Sequence, residues 1–159
     1  MQPIEIKKEY EQLRKKHNLP SYEELDNEFE LLYFSPVIEV NYVLRFIRRR
    51  ITDKLKGFVN FFHGIINPNP SNLISLQESK FIPQEEKEKI SELINEIMVL
   101  DSKSILLDLE QSEKNDAEFI KEALKRWSKM KKTITNYVSK IKEGWESDIK
   151  EEEKSHYFG

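Results

Sequence analysis

The stretch SPVIEVNYVLRFIRRRITDKLKGFVNFFHGII, residues 35–66, decides the fold class. Ser35 followed by Pro36 is a helix start, because serine caps the exposed amides and proline at the first helical position lacks an amide that would be orphaned anyway. Beyond it Val40, Leu44, Ile47, Ile51, Leu55, Phe58, Phe62 and Ile65 step by three or four residues, which is one continuous apolar stripe. No breaker precedes Gly57 and Gly64. A helix unbroken from Pro36 to Ile66 would be roughly 45 Å long at about 1.5 Å per residue.

The segments on either side read the same way. On the N-terminal side Ile4 to His17 places Ile6, Tyr10 and Leu13 at helical spacing, and Asn18-Leu19-Pro20 stops that helix. Ser21 with Glu24 has capping-box spacing and opens an acidic helix from Tyr22 to about Leu32. On the C-terminal side Asn67-Pro68-Asn69-Pro70-Ser71 is a loop, since each proline removes a donor and drives its predecessor to extended backbone. A short helix over Asn72 to Ser79 follows. Pro83 then opens a second long helix with the stripe Ile90, Leu93, Ile94, Ile97, Leu100 and Leu107.

Gln111 to Asn115 is a polar break, and Asn115 with Glu118 is a further capping-type start. The last long helix carries Ile120, Leu124, Trp127, Ile134, Val138, Ile141 and Trp145, with Met130 filling the gap at Lys131. Three long stripes joined by short loops predict an all-α fold, an elongated antiparallel three-helix bundle with short N-terminal helices. We place the N-terminal helices in residues 1–34, the long-helix bundle in 35–150 and an acidic, then aromatic, tail in 151–159 that frays or docks on a partner, all in one folded domain.

Composition agrees. In 159 residues the apolar share is 38% and the charged share 35%, enough for narrow helical stripes and low for a broad core. The absence of cysteine excludes disulfides, thiolate zinc sites and a cysteine nucleophile. The N-terminus lacks a signal-peptide core, and the uncharged run from Gly57 to Gln77 is interrupted by polar residues and prolines. We therefore expect a soluble cytoplasmic protein with no membrane partner.

Chemistry is hard to find. Gly57, Gly64, Gly144 and Gly159 are too scattered to cradle a phosphate. His17 and His63 have no carboxylate at i+3 or i+4, and His156 has Glu152 and Glu153 but on the tail, so no metal and no cofactor is expected. Glu92 and Glu96 flank the second long stripe, where a wetted helix face beside Lys89 accounts for them. His63-Gly64 beside Phe61 and Phe62 combines a titratable ring with large aromatics, which would suit a small pocket, but the C-terminal turn of a helix, where histidine is favoured and glycine permits unwinding, is the preferred reading. We expect no enzyme and no catalytic residues.

Charge layout is the informative feature. Arg45, Arg48, Arg49, Arg50, Lys54 and Lys56 face only Asp53 in their segment, and Lys121, Lys125, Arg126, Lys129, Lys131, Lys132, Lys140 and Lys142 face only Glu122. On a helical wheel Lys121, Lys125, Lys129, Lys132 and Lys140 fall within about 100° of one another, a ridge opposite the apolar stripe. Such a ridge suits the phosphates of RNA or DNA, with arginine forks adding bidentate contacts. The nucleic-acid-binding set on this reading is Arg45, Arg48, Arg49, Arg50, Lys54, Lys121, Lys125, Lys129, Lys132 and Lys140. The competing reading is a surface compensated by acidic neighbours, Glu23 to Glu30 and Glu143 to Glu153, in which Arg48 laces an acidic helix at an interface. Aromatics such as Tyr33, Phe34, Tyr42, Phe46, Phe81, Phe119, Tyr137 and Phe158 exceed what three stripes bury, and point to cover from the N-terminal helices or to a protein-binding groove.

The segments Leu19 to Glu30, Arg45 to Ile51, Asn67 to Ser71 and Glu143-Gly144-Trp145 resemble a group of small helical proteins of archaeal genomes without an assigned activity. That resemblance implies a helical fold and supplies no functional residues. The basic helix followed by Pro83 to Ile90 is similar to the helical part of the GINS replication-complex subunits, without their small β domain. The function expected from the sequence is a non-enzymatic helical binding protein, an accessory factor or subunit of a nucleoprotein assembly such as the ribosome or replication machinery, docking by its basic ridges. The alternative is an oligomeric protein–protein interaction module, homo- or hetero-oligomeric, that does not touch nucleic acid.

Overall fold

The computed structural model describes residues 3–31 and 42–156, with side chains described over 6–31 and 42–148. Every regular element among them is an α-helix, in the order α1 (Pro3–His17), α2 (Tyr22–Phe29), α3 (Val43–Ile66), α4 (Leu73–Phe81), α5 (Gln84–Glu110) and α6 (Glu113–His156). None is long and apolar enough to cross a membrane. The chain divides into two compact units, Met1–Gly57 with Ile97–Ser128, and Phe58–Glu96 with Lys129–Gly159. The helix start expected at Ser35-Pro36 lies outside the described residues, as do Val40, Tyr33, Phe34 and Phe158.

In the first unit, local chemistry sets each helix end. Asn18 adopts φ 52° and lets Leu19 N donate to Arg14 O at 3.1 Å, a left-handed stop that asparagine tolerates because its short side chain bonds locally. Tyr10 Oη then donates to Pro20 O at 2.8 Å. Ser21 caps α2 as expected, its hydroxyl accepting from Glu24 N at 3.1 Å. The helix ends at Phe29, sooner than the spacing suggests, because Glu30 turns to φ 53° and donates its amide to Asp26 O at 2.8 Å. Helix α2 packs on α6, with Phe29 and Trp127 ring centroids 5.5 Å apart, and Tyr10 meets Tyr22 edge to face.

The start of α6 departs from expectation. Gln111 takes φ 51° and ends α5, and Ser112, not Asn115, is the cap, with Asn115 N donating to Ser112 Oγ at 3.3 Å. Asparagine at 115 sits where a capping serine needs its third-residue amide, so two good caps compete and the earlier one, just past the left-handed residue, prevails.

In the second unit, α4 finishes α3. The last carbonyls of a helix lack amide partners, and here Ser75 Oγ donates to Gly64 O at 2.7 Å, Ser79 Oγ to Ile65 O at 2.6 Å and Asn67 N to His63 O at 2.9 Å. Asn72 caps α4 by accepting from Ser75 N. The buried stripe of α6 here is Met130, Ile134, Tyr137 and Ile141. Val138, expected in that stripe, is 41% exposed while Tyr137 is 3% exposed. The steps 130, 134, 137 and 141 keep one heptad seam, and Val138 lies a further 100° round the helix. Helix α6 continues to His156, so the segment expected as a tail is helical that far.

Candidate functional site

Most of the cations expected to meet phosphate are already paired. Arg48 is fully buried. Its Nε donates to Asp116 Oδ1 at 2.6 Å, Nη2 pairs with Asp108, and Nη1 donates to the hydroxyl and carbonyl of Ser104. Arg48 is thus a tie from α3 to α5 and α6, and its removal from the phosphate-contact set is the principal correction to the sequence reading. The sequence-level alternative for it, lacing an acidic helix, describes what is seen.

The other arginines and lysines of α3 follow. Arg49 is exposed and pairs with Asp108 at 3.2 Å. Arg45 is half-buried, with its guanidinium carbon 5.3 Å from the Tyr42 ring centroid. Arg50 is half-buried as well. Lys54 donates to Glu28 O at 2.7 Å, and Lys56 lies 3.5 Å from Asp101. On α6, Lys121 pairs with Glu118 at 2.7 Å and donates to His17 O at 3.1 Å. Lys140 pairs with Glu86 and lies over the Tyr137 ring. Lys125, Lys129 and Lys132 remain exposed and, among the described residues, have no carboxylate partner.

Burial and pairing pull the carboxylates apart. Burial pushes Asp116 above its ordinary pKa despite the Arg48 bond. Burial opposes ionisation of Asp108 too, but the bonds from Arg48 and Arg49 outweigh it and hold its pKa low. Bonds from Lys16 and His17 lower Glu113, and the bond from Lys103 lowers Glu122. A carboxylate lowered in the fold contributes stability above its unfolded pKa, near 4.5 for glutamate, and loses it as the pH falls through the folded value. Asp116 acts in the opposite sense and withdraws stability as the pH rises past 3.8. We expect the urea midpoint to drop below about pH 4.5, and a Glu113→Gln, Glu122→Gln double variant to show a shallower drop worth less than about 1 kcal/mol per pair. An unchanged acid profile in that variant would show that these pairs do not govern it.

The surface feature that sequence reading missed is on α5, within the first unit. Val99 is 60% exposed, Ile105 56%, Leu106 60% and Leu109 79%, and Met98 is also exposed. With exposed Ser102 they occupy positions 98, 99, 102, 105, 106 and 109, one helix face about 120° wide. The buried face of the same helix carries Leu100, Ser104 and Leu107. The signal was present in the sequence: from Ile97 to Leu109 apolar residues surround the helix, a pattern of helices covered on all sides.

Two grooves are lined by these elements. One of about 410 Å³ in the second unit has Leu93, Met130 and Tyr137 as its apolar part and Glu92, Glu96, Lys129 and Lys132 at its rim. Another of about 190 Å³ in the first unit gathers Glu9, Arg45, Glu113 and Asp116. His63 is exposed and lines neither. No cluster of metal-ligating side chains occurs among the described residues. Compared with protein-family models, curated proteins and solved structures, the chain matches none.

Proposed function

We propose that this chain is a non-enzymatic interaction protein that engages a protein partner through the apolar face of α5, from Met98 to Leu109. The observation that carries the reading is the contiguous exposure of Val99, Ile105, Leu106 and Leu109 on one helix face. Isolated exposed aliphatics are ordinary, whereas a continuous patch of several turns marks a surface meant to be covered. An antiparallel three-helix arrangement of α3, α5 and α6 suits this role, since the ties from Arg48 to Asp108 and Asp116 fix α5 while its outer face stays open.

Docking on a nucleoprotein is the second reading, favoured by Lys129 and Lys132 with Lys125 four residues earlier in α6, all exposed and without carboxylate partners among the described residues. With Arg48 buried and Arg49, Lys54, Lys121 and Lys140 paired, few unneutralised cations remain to release counterions from phosphate, and the salt dependence would be shallow.

A photoreactive benzophenone residue placed at Leu109 in one variant and at Lys129 in another separates the two in the producing cell. The expected result is a protein adduct at 109 that disappears when Leu106→Glu is added, and no nuclease-sensitive adduct at 129. A nuclease-sensitive adduct at 129 without a protein adduct at 109 overturns the proposal.

A further inference from the structure

This inference rests on the protein-binding reading of α5 and names its partner. We infer that the partner is a second copy of this chain, with the two α5 helices pairing antiparallel through their exposed faces about a twofold axis level with residue 104 along the helix.

Size is the first argument. The exposed aliphatics of this face leave on the order of 500 Å² of apolar surface in solvent, about the largest patch a monomer sustains, and two copies face to face remove roughly 1,000 Å², where a specific interface begins. The patch is also finite. Polar Ser91 and Asn95 precede it on the same side of the helix, and α5 ends at Glu110. An isologous pairing covers such a patch with an equal length of itself.

Register is the second argument. Val99, Ser102, Leu106 and Leu109 step by three, four and three residues, the spacing of a helix–helix seam. Antiparallel pairing about residue 104 sets Val99 opposite Leu109 and Ser102 opposite Leu106, so each layer matches a smaller side chain to a larger one. A slide of one heptad would leave half of the layers without a partner. Met98 and Ile105 lie alongside the seam and widen it.

The rim is the third. Lys103 is bonded to Glu122, and Asp108 to Arg48 and Arg49, all within the same chain. Of the charges bordering the face, Lys103 and Asp108 are neutralised before any partner arrives, and Glu110, the last residue of the helix, accepts from the neutral amide of Asn115. A strongly charged partner would find Glu110 alone as a counterpart there, whereas a second copy brings the same apolar centre and the same neutralised Lys103 and Asp108.

The absence of cysteine makes the test clean, because introduced thiols are the only ones present. Sedimentation equilibrium of the full chain across a concentration series should show the mass rising from 19.0 kDa towards twice that value. Leu106→Glu, at an exposed position, should abolish the rise with an unchanged circular dichroism spectrum. In mild oxidant, a mixture of Val99→Cys and Leu109→Cys chains should form a disulfide-linked pair, while neither forms one alone, because like positions stand roughly 15 Å apart along the axis. Self-linking of Leu109→Cys alone would overturn the antiparallel pairing. A mass of 19.0 kDa at every concentration, together with a photo-adduct from Leu109 to a different protein, would overturn the second copy and leave the protein-binding reading standing. Neither dimer nor adduct overturns both.

Discussion

Arg48→Ala is expected to lower the free energy of unfolding by about 3–5 kcal/mol, read as a shift of the urea midpoint at constant slope. The cause is what the arginine leaves behind. Asp116 is buried, already pushed upward in pKa by that burial, and accepts from Arg48 Nε at 2.6 Å. Without the guanidinium it becomes a buried carboxylate that has lost its bonded counter-charge and keeps only the unbonded field of Arg45, and Ser104 loses the donor to its hydroxyl. Removing one partner of a buried pair costs far more than the pair itself contributes. An Arg48→Met, Asp116→Leu double variant is therefore expected to recover most of the loss. By contrast, Lys129→Ala should be neutral within about 0.5 kcal/mol, since nothing is bonded to its exposed side chain. A loss below about 1 kcal/mol for Arg48→Ala would mean that water reaches Asp116 and that the tie between α3, α5 and α6 is loose.

Arg48 also marks where sequence reading stops. Arg48 stands one turn from both Leu44 and Ile51, a position near an interface, but a run of arginines reads as a cationic surface. Which member turns inward depends on Asp108 and Asp116, 60 and 68 residues away in sequence and invisible to local pattern. The helices were legible for the opposite reason. Ser21, Asn72 and the proline loop at 67–71 act on amides within a few residues of themselves, and the three- and four-step stripes need only the helix's own geometry. Where two local signals competed, as with Ser112 and Asn115 at the start of α6, position relative to the preceding left-handed residue decided. The α5 face was legible but unread: once Leu100 and Leu107 are assigned inward, Val99, Leu106 and Leu109 can only point out, so the surplus was already in the pattern.

Gly144→Ala is expected to destabilise the second unit by about 1–3 kcal/mol, whereas Gly57→Ala is expected to stabilise the protein by up to about 1 kcal/mol. Both glycines lie inside helices, α6 and α3, where alanine is the better residue by roughly 1 kcal/mol on backbone grounds alone. Their surroundings decide the sign. A methyl at Gly57 would meet nothing within 4 Å, so the backbone gain is kept. A methyl at Gly144 would stand less than 3.0 Å from the ring of Phe81, far inside contact distance. Retreat of that ring disturbs its edge-to-face contact with Trp145, whose centroid is 5.2 Å away and whose indole Nε1 donates to Glu78 at 3.2 Å. Moving Phe81 therefore disturbs the closure of α4 against α6, and overpacking of this kind outweighs the propensity gain. Phe81→Leu in the Gly144→Ala background should restore part of the loss by removing the ring carbons that the methyl strikes, although Phe81→Leu alone is destabilising. Opposite signs for these two chemically identical substitutions, measured by denaturant unfolding, would locate the cost in the Phe81–Trp145 contact; equal signs would place that contact elsewhere.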